Sequence, residues 1–292
     1  MWLWIPFTIF AAFMQSWRNA FQKQLSRDVN TSGVTLARFI YAGPLAALYL
    51  LALYTWEPVG IPHLSGLFWL YVLLASIAQI FATSLMVMLF RLRNYAIGVG
   101  LAKSEAVMAA ILGALFFGAP LSFLAWIGVF IGGVAIWLMS NPGAFKDISV
   151  PTIATGLGSG LCFALTVLWV RQASLLLELP FPYSAAWVLV TVITTQTIIL
   201  VTWLLFKDRS TLIALWKRPK LTLTISVFSC LGSLGWFTAM SLQTAAMVKT
   251  LAQIEVLFTL MISVIWFHEK LSRKDKIGLA FIVIGAICVM VA

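Results

Sequence analysis

Two stretches of the chain, 150 residues apart, align without a gap. Residues 95–139 read YAIGVGLAKSEAVMAAILGALFFGAPLSFLAWIGVFIGGVAIWLM, and residues 245–289 read AAMVKTLAQIEVLFTLMISVIWFHEKLSRKDKIGLAFIVIGAICV. Nine aligned positions are identical, namely Ala96/Ala246, Leu101/Leu251, Ala102/Ala252, Glu105/Glu255, Phe117/Phe267, Leu121/Leu271, Ser122/Ser272, Ile127/Ile277 and Gly128/Gly278. Apolar composition explains several of these matches, but it does not explain the pairing of two carboxylates inside apolar sequence. The alignment therefore predicts an internal repeat.

The composition around this repeat is that of a membrane protein. Of 292 residues, 62% are hydrophobic and 10% charged, whereas soluble domains carry about 25% charged residues. At about 28 residues for a spanning helix and its connection, the chain has room for roughly ten helices. We therefore predict an all-α polytopic membrane protein with ten transmembrane helices. Spans 1 to 10 are placed near residues 2–22, 32–54, 65–90, 95–117, 120–140, 151–173, 181–206, 220–242, 245–267 and 274–291.

The basic residues predict the orientation of these spans. Fourteen of them follow the odd-numbered spans: Lys23, Arg27, Arg91, Arg93, Lys146, Lys207, Arg209, Lys217, Arg218, Lys220, Lys270, Arg273, Lys274 and Lys276. The opposite loops hold Arg171 alone, at a helix end, beside Glu57 and Glu178. Because basic loops stay in the cytoplasm, both termini are expected to be extracytoplasmic. The net charge of +10 then reflects topology and lipid contact, and no nucleic-acid partner is expected.

The repeat divides the chain into two units, residues 1–145 and residues 146–292, each with five predicted spans. Because five is odd, the second unit enters the membrane from the opposite face to the first. The two halves are therefore predicted to be inverted-topology repeats, an arrangement common among secondary transporters.

Several local features resemble a known family. Span 1 contains AFMQSWRNA at residues 12–20 and ends near Lys23, and span 2 contains LARF at residues 36–39, with an arginine near its beginning. The stretch FHEKLS at residues 267–272 precedes Gly278. It is similar to a glycine–glutamate turn before the last helix, although His268 stands where glycine is usual. With two five-helix halves, the chain resembles the drug/metabolite transporter superfamily in its ten-helix EamA-type branch. The resemblance implies a solute transporter whose site is lined by spans 1, 3, 4, 6, 8 and 9.

Ionisable side chains inside the spans are the first candidates for the site, because charge in a bilayer is costly and usually functional. They are Arg38, Lys103, Glu105, Lys249 and Glu255. Each glutamate lies about ten residues into its span and so near the middle of the membrane. We expect the two to flank a central cavity and to bind substrate or protons. The alternative is a permanent ion pair with Lys103, Lys249 or Arg38 that only orders the bundle.

Three further residues are predicted to belong to the same substrate or proton site. Gln253 is four residues from Lys249 and shares its helix face; Trp17 and Gln79 supply an aromatic surface and a hydrogen-bonding group. Lys249 is alternatively a residue that snorkels to the membrane surface. Arg38 is expected to meet a substrate anion, to pair with Glu105, or to reach the headgroups. Arg18, next to Trp17, is expected to be an interfacial anchor.

These features predict a secondary active transporter of the cytoplasmic (inner) membrane, working by alternating access with proton coupling or exchange. The expected substrate is a small polar metabolite, most simply an amino acid or another zwitterionic or anionic solute. The alternative on the same scaffold is a translocator of a lipid or lipid-linked sugar. An enzyme is not expected, because His63 and His268 lie at helix ends and no aspartate lies in the interior of a span, Asp275 being at the loop end of span 10. No metal, ATP or other cofactor is expected, and the oligomeric state is left open.

Overall fold

Helices make up almost all of the chain that the structure describes. The computed structural model describes residues 2–92, 102, 104–118, 122–139, 150–266, 277, 281 and 284. The helices of this part are α1 (Trp4–Leu25), α2 (Thr31–Ala37), α3 (Ala42–Trp56), α4 (Gly66–Leu92), α5 (Glu105–Phe117), α6 (Phe123–Met139), α7 (Val150–Leu175), α8 (Tyr183–Lys207), α9 (Arg209–Trp216), α10 (Pro219–Leu242), α11 (Ala245–Leu251) and α12 (Glu255–Trp266). A 3-10 turn, Ala252–Ile254, joins α11 to α12.

The helices bury polar residues and expose apolar ones, as a bilayer requires. Leu115, Phe123, Phe130 and Phe206 are more than two-thirds exposed. Within the described residues, six helical segments are long and apolar enough to cross a membrane: Thr31–Trp56, Gly66–Arg91, Ala154–Leu175, Tyr183–Lys207, Pro219–Leu242 and Ala245–Trp266. This confirms an all-helical membrane fold for the described residues. The count of ten spans stays a prediction, and most of predicted span 10 (274–291) lies outside the described residues.

Two predicted spans are interrupted where ionisable residues lie. Span 2 is divided into α2 and α3 by a turn over residues 38–41, which contains Arg38. The cause is Pro44 in the first turn of α3, because its ring cannot coexist with a helical carbonyl at residue 40. Span 9 is divided by the 3-10 turn immediately before Glu255. Glu105 likewise is the first residue of α5, so the two aligned glutamates begin regular helical segments.

The most extensive helix pairs are α1 with α10 and α4 with α7. In the predicted repeat, α1 corresponds to α7 and α4 to α10, so exchanging the halves converts one pair into the other. At Gly235 of α10, a Cβ atom would lie 2.9 Å from both the Phe7 carbonyl oxygen and Ala11 Cβ. Such small-residue crossings let membrane helices approach closely. The symmetry of the pairs supports the inverted repeat, which stays a prediction.

Candidate functional site

Glu255 lies in a pocket of hydrogen-bond donors supplied by α1. Its side chain is fully buried. Gln15 Nε2 donates to Glu255 Oε2 at 2.6 Å, and Asn19 Nδ2 donates to Oε1 at 3.2 Å. Ser16 Oγ donates to the Glu255 main-chain oxygen at 3.2 Å. Gln15 and Asn19 are four residues apart and share one helix face, so a single helix holds both carboxylate oxygens.

Glu105 is partnered in a different way, by a cation. Lys249 Nζ lies 3.5 Å from Glu105 Oε1, and both side chains are about 95% buried. The same ammonium lies 4.2 Å from the centre of the Trp236 ring, in cation–π contact. Lys249 belongs to α11 and Glu105 to α5, so this ion pair joins the two predicted halves. The structure thus places Lys249 inside the protein rather than at a membrane surface.

A single residue connects the two carboxylate sites. Trp236 Nε1 donates to Gln15 Oε1 at 2.9 Å, while its ring face holds Lys249. Gln15 in turn donates to Glu255. This arrangement fixes the orientation of the Gln15 amide, because its oxygen faces a donor and its nitrogen faces a carboxylate.

Both glutamates border one small central cavity of about 10 Å³. Its lining residues are Gln15, Asn19, Met86, Ala102, Glu105, Phe163 and Glu255. A volume of this size accommodates about one water molecule. The structure therefore has two carboxylates that border one cavity, which is too small for a solute. That they bind substrate or protons stays a prediction.

Arginine side chains add positive charge near this cavity. Arg38 is buried, and its Nη1 donates to Thr83 Oγ1 at 2.6 Å. Its electrostatic interactions are attractive with Glu105 and Glu255 and repulsive with Arg18. Arg18 is completely buried, and its Nη2 donates to Asn19 Oδ1 at 2.8 Å. The prediction that Arg18 anchors the protein at the interface is therefore wrong, because its guanidinium faces the helix bundle.

The remaining predicted residues make other contacts. Gln79 accepts a hydrogen bond from Gln196. Gln253 packs on α6, where its amide leaves no space for a Cβ atom at Gly132. Trp17 stacks on Phe21, with ring centres 5.8 Å apart, and also contacts Trp266 edge-on. Lys103 lies outside the described residues. None of these contacts assigns or removes a role in substrate binding.

The sequence did not single out several residues that complete the site. Met86 and Phe163 line the central cavity, and apolar residues inside spans carry no signal that separates cavity lining from packing. Thr83 holds Arg38 from another helix, 45 residues away in sequence. For Arg18 a signal did exist, namely its position three residues after Gln15 on the face that meets Glu255.

Comparisons with known proteins agree with this architecture. Residues 150–291 match the model of the EamA-like transporter family. The match confirms the resemblance drawn from the sequence over this part of the chain, and it suggests a membrane transporter of the drug/metabolite type. Members of this family are transporters rather than enzymes. A search of curated proteins found no match.

A solved structure shares the fold over nearly the whole chain. It is described only as "Crystal structure of protein", and it superposes with a TM-score of 0.67 at 13% sequence identity. The alignment covers 96% of this chain and 98% of the other. At this identity the likeness concerns the fold alone.

Proposed function

We propose that this chain, whose residues 150–291 belong to the EamA-like transporter family, is a secondary active transporter of a small polar solute. The solute is zwitterionic or anionic, most simply an amino acid, and it crosses the cytoplasmic membrane by alternating access. The observation that carries the proposal is the central cavity bordered by both Glu105 and Glu255. Burying two carboxylates at one cavity inside a membrane protein is costly, and such buried charges usually mark a functional site.

The charge balance supports a solute that carries an anionic group. The buried charged side chains of the described residues are Arg18, Arg38, Lys249, Glu105 and Glu255. Three cations therefore face two carboxylates, and a bound carboxylate would balance the set. Because ions are costly to bury without partners, such balancing favours binding. The cavity, at about 10 Å³, must widen before a solute can enter, as alternating access requires.

We assign proton binding to Glu255 rather than to Glu105. Two hydrogen bonds to the Glu255 carboxylate come from the neutral amides of Gln15 and Asn19. The oxygens of these amides accept from Trp236 and Arg18, so their nitrogens stay directed at Glu255. A protonated Glu255 would keep one of these bonds and direct its O–H into the central cavity that it borders. Protonating Glu105 would instead remove the negative charge beside Lys249. Glu105 and Lys249 are assigned to solute binding. The charged groups of the solute would replace the Glu105–Lys249 ion pair by ion pairs of their own with these two side chains.

Reconstitution into vesicles tests the proposal. A thermal-shift screen of amino acids, sugars, nucleotides and quaternary amines selects a solute, and its uptake is then measured with and without a pH gradient. We expect Glu255→Gln to abolish stimulation by the gradient while solute exchange remains. Glu105→Gln should weaken solute binding and leave the response to the gradient. Glu57→Gln makes the same chemical change at an exposed position and serves as the matched control.

Two outcomes would contradict the proposal. If both buried glutamine variants keep full pH-dependent uptake, the assignment of proton binding is wrong. If only lipid-linked compounds bind and move, the protein is a translocator of lipids rather than of soluble metabolites. A topology reporter fused after Ala292 checks the orientation, and a cytoplasmic signal would overturn the extracytoplasmic assignment of the termini.

A further inference from the structure

A second, larger pocket opens at one end of the helix bundle. It has a volume of about 230 Å³. Its lining residues come from one face of α5, the end of α7 and the beginning of α11: Ala109, Gly113, Gly118, Leu168, Arg171, Gln172, Leu175, Thr244, Ala245 and Ala246. The charge distribution of the loops predicts that this end is extracytoplasmic. The walls are apolar except for Arg171, Gln172 and Thr244.

Arg171 is the one charged residue among those that line this pocket. Both hydrogen bonds of its Nη1 go to main-chain oxygens at the end of α10, those of Met240 and Gln243, at 2.5 Å each. Within the part of the chain that the structure describes, Nε and Nη2 make no hydrogen bond. The acceptors are neutral carbonyls, and no carboxylate of the described residues forms an ion pair with Arg171. The guanidinium retains a fork of donors suited to an oxyanion.

The floor of the pocket lies near the buried ion pair of Glu105 and Lys249. Ala109 follows Glu105 by four residues on α5, and Ala246 precedes Lys249 by three residues on α11. Residues at these spacings share a helix face, and both alanines line the pocket. The floor of the pocket therefore lies about one helical turn from the Glu105–Lys249 ion pair. Beyond the pair, Glu105 borders the central cavity.

We infer that this pocket is a docking site for the anionic group of a small water-soluble solute, and that Arg171 supplies the positive charge that binds it. This inference rests on the proposed transport function, and it adds a first binding site for the substrate on the extracytoplasmic side. The solute's carboxylate, or another oxyanion, accepts hydrogen bonds from Nε and Nη2 of Arg171. Its apolar part lies against Leu168 and Leu175. The next cation on its path is Lys249, where it competes with Glu105.

Cysteine labelling tests the charge preference of the pocket without a transport assay. In a background with Cys162→Ala, Cys230→Ala and Cys288→Ala, a reporter is introduced as Gln172→Cys. The rate at which this cysteine thiol reacts is measured with two reagents of opposite charge, the anionic sulfonatoethyl methanethiosulfonate and the cationic trimethylammonioethyl methanethiosulfonate. Leu176→Cys, at the same end of the protein but outside the pocket lining, provides the reference. We expect the anionic-to-cationic rate ratio to be about tenfold higher at residue 172 than at 176.

Changes of charge in the pocket separate electrostatics from structure. Leu175→Glu places a carboxylate one turn from Arg171, and it should bring the ratio down to the reference value. Leu175→Gln, the matched neutral change, should leave it high. Arg171→Lys should keep the preference and Arg171→Gln should lose it. A preference that survives both Leu175→Glu and Arg171→Gln would overturn the assignment of Arg171, as would equal ratios at residues 172 and 176.

The same measurements distinguish a solute from a lipid headgroup. They are made in nanodiscs of phosphatidylcholine and of phosphatidylglycerol, each normalised to the residue-176 reference. A preference present in both supports a site for soluble anions. A preference lost only in phosphatidylglycerol means that a lipid phosphate occupies the pocket, which overturns the solute assignment. Labelling requires no transport. If the transport proposal fails, the labelling rates still show whether the pocket prefers anions, so the two proposals can fail separately.

Discussion

Glu105 and Glu255 occupy equivalent positions in the predicted repeat, yet their surroundings differ. Glu105 faces the ammonium of Lys249 across 3.5 Å, whereas Glu255 receives hydrogen bonds from the amides of Gln15 and Asn19. One carboxylate thus has an ammonium group beside it, and the other has two amide donors in contact with its oxygens. The difference teaches that two copies of one sequence element can acquire different contacts from the helices packed around them.

Breaking the ion pair should have the largest effect. We expect Lys249→Met to destabilise the protein by about 3–5 kcal/mol, because it leaves the buried Glu105 carboxylate without that cation. The double variant Lys249→Met/Glu105→Gln should recover most of the loss. Unfolding in detergent, analysed as a double-mutant cycle, measures the coupling. Additive effects in the double variant would show that the two residues do not depend on each other.

Glu255→Gln provides the other side of the comparison. It replaces the charged acceptor of the Gln15 and Asn19 amides by a neutral amide of the same size, and we expect a smaller loss of about 1–3 kcal/mol. A loss in unfolding free energy equal to that of Lys249→Met would show that the different contacts of the two glutamates do not matter for stability.

The residue shared by the two sites should give an intermediate effect. Trp236→Phe keeps an aromatic face for Lys249 but removes the N–H that orients Gln15, at a cost of about 1–2 kcal/mol. Uptake should fall because Gln15 can then turn away from Glu255. Trp187→Phe removes an equivalent indole hydrogen bond, the one to Tyr54 at 3.0 Å, and is the matched control. Equal uptake by the two variants would exclude a connecting role for Trp236.

The smallest effect is expected far from both carboxylates, at Asp208. Hydrogen bonds from Ser210 and Thr211 lower the pKa of this carboxyl to about 2, and its side chain caps the beginning of α9. Asp208→Ala should lower the Tm slightly and leave uptake unchanged. Because the folded pKa lies below the usual 3.8, the wild-type advantage should persist above about pH 4 and disappear as the pH falls towards 2. An advantage that persists at pH 2 would exclude the carboxylate as its source.

The sequence predicted the charged residues of the site better than it predicted the residues that contact them. Glu105, Glu255, Lys249 and Arg38 were identifiable because each interrupts an apolar run. Gln15, by contrast, meets Glu255 across 240 positions of sequence, and no local pattern predicts such an encounter. Arg18 was misplaced because the neighbouring tryptophan suggested an interface. Its burial depends on the rotation of α1 in the bundle, which tertiary packing decides.

Hydropathy predicted where spans lie but not where they break. The largely apolar stretch over residues 32–54 favours one helix. Within it, the position of Pro44 is the signal for the turn that contains Arg38. The 3-10 turn before Glu255 contains no proline or glycine, so the local sequence gives no warning of it. Helix α9 was not predicted either, because its eight residues are too few for a spanning segment.

The glycine at position 235 has an evolutionary consequence. Its helix, α10, comes from the second predicted half, and the Phe7 oxygen and Ala11 Cβ that it contacts come from the first. The two most extensive helix pairs both cross between halves in this way. If the halves descend from a duplicated gene, neither copy was afterwards free to diverge alone. A larger side chain at residue 235 requires a compensating change on α1, so covariation between homologues should be strongest across the halves rather than within them.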